Sequence, residues 1–131
     1  MIKPARLGAS LLLLVSFACV ASEADENCGA QPEPPPLPEG VSFSEAQLKA
    51  EKKRFMTYQD ENAIHLDCLL DLMDSLQAEI GSIGEGSAGA KDLDALESEF
   101  ALAGSAYNKA VATEDDSAAQ INTAINDFKE K

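Results

Sequence analysis

The sequence predicts an all-α protein: two long helices paired as an antiparallel, coiled-coil-like hairpin, with an N-terminal proline-rich extended arm tied to the first helix by a disulfide. Three observations carry that expectation. Apolar residues recur at steps of three, four and seven through residues 44–80 and again through 92–128. A glycine-rich tract at 81–91 separates the two spans. Two cysteines remain beyond the first segment, Cys28 ahead of a run of prolines and Cys68 inside the first long helix.

Residues 1–21 stand apart from the helical domain. Lys3 and Arg6 give a basic start, residues 11–20 an apolar run, and Cys19-Val20-Ala21 a small-residue pattern suited to cleavage after Ala21. These are the three parts of a secretory signal. The apolar run is shorter than the ~20 residues that span a membrane, so no membrane insertion is expected once the signal is removed. Cys19 follows the small residue Ala18, as a lipid-bearing cysteine would. Ser16, where such signals carry an aliphatic side chain, and bulky Phe17 both argue against a lipid anchor at Cys19. The expected destination is the periplasm or the extracellular space.

The 131-residue chain is long enough for one small domain, and it is acidic: 10 Lys+Arg stand against 23 Asp+Glu, a formal charge of −13. Cleavage after Ala21 removes Lys3 and Arg6 and no acid, which takes the charge to −15. Nucleic acids and anionic membrane surfaces select basic patches, so neither is an expected partner. A solvated acidic surface keeps such a protein soluble.

Residues 22–43 contain Pro32, Pro34, Pro35, Pro36 and Pro38, a density that excludes helix and favours an extended polyproline conformation. After cleavage Cys28 and Cys68 are the remaining cysteines, and in an oxidising compartment an isolated pair is most simply a disulfide. The geometry allows it. From residue 44 to Cys68 the helix climbs about 36 Å, while residues 28–44, extended at ~3.1 Å each, reach up to about 50 Å. The arm can therefore run beside the first helix and turn into it near Gly40.

The first long helix, 44–80, carries Leu48, Phe55, Leu66, Leu69, Met73, Leu76 and Ile80 as one stripe. Ser42 with Glu45, or Ser44 with Gln47, marks its start as a capping box, and Gly81 is expected to stop it with a left-handed cap. At about 1.5 Å per residue the rod is ~54 Å long, too long to fold alone around a compact core. The tract 81–91 joins helix to helix and ends in Lys91-Asp92, so it reads as a turn and not as a phosphate-binding loop. The second helix is expected to begin at an Asp92 cap and to run to 128 on Leu93, Leu96, Phe100, Ala103 and Tyr107. Its stripe then shifts to Val111, Ala118, Ile121, Ile125 and Phe128, a stutter that leaves open a kink between Thr113 and Asp116. Tyr107-Asn108 recurs as Ile121-Asn122 two heptads later, which places Asn108 and Asn122 on one face.

A cysteine ahead of a proline run (Cys28, then Pro32 to Pro38), a long helix bearing Cys68-Leu69, and a tail running from Tyr107-Asn108 to Phe128 together resemble a group of small, uncharacterised exported two-cysteine helical proteins of Gram-negative bacteria. The likeness covers residues 28–75 and 105–129 and implies an exported helical protein with no known activity.

No catalytic residue, cofactor or metal is expected. His65 is the only histidine and Glu61 lies one turn before it, but zinc needs three or four ligands and an oxidised Cys68 supplies no thiolate. This pair reads as solvated. Glu114-Asp115-Asp116 lacks the alternating oxygens and central glycine of a calcium loop. Gln59, Asn62 and Glu114 fall at seam-spaced positions and suggest a groove left partly open. The expected function is therefore that of a non-catalytic envelope module that binds a protein, either a second copy or a basic partner. The alternative is an acidic periplasmic protein that binds a small ligand or cations through its acidic faces.

Overall fold

The computed structural model describes residues 22–38, 42–83 and 90–131. The proposed cleavage after Ala21, Cys19 and most of the glycine tract lie outside them. Among the described residues three helices follow in order: α1 (Glu23–Cys28), α2 (Glu45–Ser82) and α3 (Ala90–Lys129). The protein is mostly helical, with no strand among the described residues, and its two long helices pack against each other. No described helix is long and apolar enough to cross a membrane.

Of the two candidate capping boxes, the Ser44 and Gln47 pair forms. The Ser44 hydroxyl accepts the Gln47 N–H at 3.2 Å, and the Gln47 side chain accepts the Ser44 N–H at 2.8 Å, so two donors at the start of α2 are satisfied reciprocally. Phe43 and Leu48 occupy the positions before the cap and four after it, the placement of a hydrophobic staple. At the other end Gly81 does not cap the helix. α2 continues through Ser82 to Ile83, which is extended (φ −78°), and the Ser82 hydroxyl donates to the Glu79 carbonyl at 2.7 Å, serving one of the end carbonyls that a left-handed glycine would otherwise have served.

α3 starts at Ala90, two residues ahead of the expected Asp92 cap, and Asp92 lies in the first turn, where its negative charge opposes the positive end of the helix dipole. The helix is continuous through 113–116. Thr113 does not begin a new helix: its hydroxyl donates to the Lys109 carbonyl one turn back, at 2.8 Å. The expected stutter is also absent. Ala103, already on the expected stripe, is followed at an unbroken seven-residue spacing by buried Ala110 and Ser117, which lead to Ile121; Ala110 and Ser117 are small residues that a search for large apolar ones passes over. Opposite them α2 buries Phe55, Asn62, Leu69 and Leu76 at the same spacing, with Tyr58 and His65 between. Small side chains on α3 let the large ones of α2 seat close to its backbone.

The segment from residue 22 departs from the expected extended chain at its start. The prolines begin only at Pro32, which leaves 22–28 free to coil. The Ser22 side chain accepts the Asp25 N–H, acids fill the first turn, and Glu99 of α3 accepts the Glu23 N–H at 2.9 Å. Gly29, at φ 70°, ends the helix in the left-handed region that glycine enters without strain. Six residues do not sustain a helix in water. Here Ala24 is buried against Leu69 and Ala103, and the last residue, Cys28, is bonded to α2. Residues 31–38 form neither helix nor strand, and Leu37 packs on Phe55, Tyr58 and Ile121.

Candidate functional site

Three places on the molecule carry polar or reactive groups into the packing. The first is the junction of α1 with α2. Cys28 and Cys68 form a disulfide with Cα atoms 5.7 Å apart. One turn before Cys68, His65 is only 7 % exposed, so it is not the solvated partner of Glu61 that its spacing suggested. Its Nδ1 lies 3.2 Å from the Cys28 carbonyl. A carbonyl only accepts, so that contact assigns the proton to Nδ1. His65 thereby braces the disulfide from the side while Glu61 stays exposed.

The second place is a polar layer in the seam. Asn62 is fully buried and donates to Glu114 Oε2 at 2.7 Å and to the Ala110 carbonyl at 3.4 Å, while Gln59 donates to Glu114 Oε1 at 3.0 Å. The three residues expected to leave the seam open therefore close it on one another. Glu114 is thus set apart from its neighbours Asp115 and Asp116, which are exposed. Burial raises the Tyr58 hydroxyl above its usual pKa of 10.0, and the nearby Glu114 carboxylate adds to the rise. Tyr58 Oη and Asn62 Oδ1 are buried without a hydrogen-bond partner among the described residues. A buried asparagine in a helical seam selects one register because any slip strands its polar atoms, at a cost in stability. Removing the acceptor should expose that role: Glu114→Ala leaves Asn62 with the long Ala110 contact alone and should destabilise the fold by about 1–3 kcal/mol in urea titration. Glu114→Gln, which keeps an acceptor oxygen, should cost less.

The third place lies where Leu37, Pro38, Ser42 and Phe43 meet the last turns of α3. Leu37, Pro38, Phe43, Ala124 and Phe128 line an open cavity of about 750 Å³ together with polar residues that include Asp127 and Glu130. The volume falls within the ~300–1,000 Å³ of ligand-sized sites. Lys131 also lines it, and its ammonium donates to the Ser42 hydroxyl. The sequence pattern places Phe128 on the second helix, and it does not single out Leu37 within the proline run. The available signal was one leucine inside a proline run and a phenylalanine just ahead of a cap, both apolar where chain connections are usually polar.

Asn108 and Asn122 are both exposed. Among the described residues no three His, Cys, Asp or Glu side chains come close enough to hold a metal ion. No protein-family model, curated protein or solved structure matches the chain.

Proposed function

We propose that the chain is an exported, periplasmic or secreted protein that works by binding another protein and not by catalysis. In this reading the two long helices form an antiparallel hairpin, the proline-rich segment is an arm lying along it, and the chain belongs with the small exported two-cysteine proteins it resembles. Several observations support the reading. Ser42 lies beside Lys131, Asn62 beside Ala110 and Met73 beside Gly104, so contacts step back along α3 as they advance along α2. A disulfide suits an oxidising compartment.

The observation that carries the functional part is the end cavity. It combines apolar side chains from three separate segments with polar ones that include two carboxylates, and its one lysine is engaged with Ser42. A fitting occupant is a peptide segment with an apolar anchor flanked by basic residues, and the acidic surface would speed its approach. Short synthetic peptides with one leucine or phenylalanine between lysines are suitable probes. They should bind the oxidised protein, and Phe128→Asp should weaken binding by about tenfold or more, equivalent to ~1.4 kcal/mol. Equal binding by the variant would remove the cavity from the account. Binding of neutral small molecules in preference to such peptides would favour the small-ligand reading.

A further inference from the structure

The outer face of α2, turned away from α3, carries a pattern centred on Asp60. Counting outward in both directions, Met56 and Ile64 lie four residues away, Lys53 and Asp67 seven, and Lys49 and Asp71 eleven. Steps of four, seven and eleven return to the same face of an α-helix, so these seven side chains form one stripe, and all seven are exposed. Among the described residues Met56 and Ile64 are the two most exposed large hydrophobic side chains, at 63 % and 72 %. The charges are sorted along the same helix: its basic residues, Lys49, Lys52, Lys53 and Arg54, all precede Phe55, and beyond that point its charged residues are acids. Arg54 is already paired with Glu51.

We propose that this stripe is a self-association surface and that its partner is a second copy of the same chain, crossing α2 on α2 in opposite directions about a two-fold axis at Asp60. A two-fold interface must be complementary to itself, and this stripe is. With Asp60 on the axis, Met56 of one copy meets Ile64 of the other, Lys53 meets Asp67 and Lys49 meets Asp71, each pairing occurring twice. A parallel pairing would instead set lysines against lysines and aspartates against aspartates. The stretch 49–71 is about 33 Å of helix, so the contact belongs to the small, transient class of interfaces below about 1,200 Å². The one opposed pair of like charges, Asp60 against Asp60, lies at the centre and keeps the association weak and reversible. The surface is on the opposite side of α2 from the seam and includes none of the residues of the end cavity.

Sedimentation equilibrium of the oxidised full chain over a wide concentration range tests the proposal, with circular dichroism confirming that each variant remains helical. The parent should show a monomer–dimer equilibrium that weakens with salt, because exposed ion pairs are screened. Lys49→Glu with Lys53→Glu, and separately Asp67→Lys with Asp71→Lys, should each reduce self-association about tenfold or more. An equimolar mixture of those two variants should recover a dimer at least as tight as the parent. Asp60→Asn should shift the equilibrium the other way, towards dimer, an effect that loss of folding cannot imitate. The proposal is overturned if the mixture associates no better than either variant alone, if the charge reversals leave association unchanged, or if both the parent and Asp60→Asn remain monomeric throughout. Phe128→Asp serves as the separating control: it should dimerise as the parent does while losing peptide binding, so failure of either reading is distinguishable from failure of the other.

Discussion

Replacing both cysteines, Cys28→Ser together with Cys68→Ser, should lower the stability of the fold by about 4 kcal/mol, the chain-entropy value for closing a loop of 40 residues. That is a large fraction of the 5–15 kcal/mol typical of a domain. The loss should be unevenly distributed. α1 is too short to persist alone and is held by Ala24 in the Leu69 cluster, by Glu99 at its start and by the disulfide at its end. Without the covalent tie the remaining contacts must hold a segment that gains considerable freedom on release, and the Cys28 carbonyl would leave His65 Nδ1 without its acceptor. Amide exchange should therefore rise first in 23–28 and then at Tyr58 and Phe55, where Leu37 is packed, while the Leu76 end of α2 changes least. Urea midpoints for the oxidised parent and the variant measure the total. An unchanged midpoint would mean that the segment is held by its packing alone.

Leu69→Ala should cost about 2–5 kcal/mol, the range for truncating a fully buried leucine. Leu69 has no exposed surface, and its cluster joins all three helices: Ala24 and Cys28 from α1, Leu72 and Met73 from its own helix, and Ala103, Ala106 and Tyr107 from α3. Alanines already supply much of that lining, so few large neighbours can move in to refill the space. The neighbouring position Ile64 is a control, because it is 72 % exposed and Ile64→Ala should stay within about 0.5 kcal/mol of the parent in dilute solution. A Leu69→Ala variant as stable as that control would contradict the placement of Leu69 at the junction.

The helices and the disulfide were legible because each depends on a local or countable signal. Seven-residue spacing, a serine three positions before a glutamine, and an even number of cysteines beyond residue 21 are all written in the chain itself. The differences arose where a tertiary contact outweighed the local pattern. α1 forms because Glu99, 76 positions away, accepts from its first N–H, and no reading of 22–28 alone reveals that partner. The stutter after Tyr107 vanished because burial at Ala110 and Ser117 was decided by the size of the residues on α2 facing them, not by their own hydrophobicity. His65 fell on the apolar stripe with the correct spacing yet was read as solvent-facing because of its polarity, and Asn62 was placed in the seam but read as leaving it partly open. The Cys28 carbonyl and the Glu114 carboxylate provide the partners that make their burial affordable. The end cavity was illegible for a similar reason: its walls come from residues near 37, 43 and 124–128, and only the pairing of the helices brings them together.

The central functional claim concerns that cavity, and a titration followed residue by residue addresses it most directly. A lysine-flanked leucine peptide would be added to isotopically labelled oxidised protein while amide and methyl resonances are recorded. Saturable shifts are expected to concentrate at Leu37, Phe43, Ala124 and Phe128, with weaker ones at Asp127 and Glu130, and little change along the outer face of α2 at Met56 and Ile64. Shifts that never saturate, or that scatter over the acidic surface without favouring the cavity, would contradict that claim.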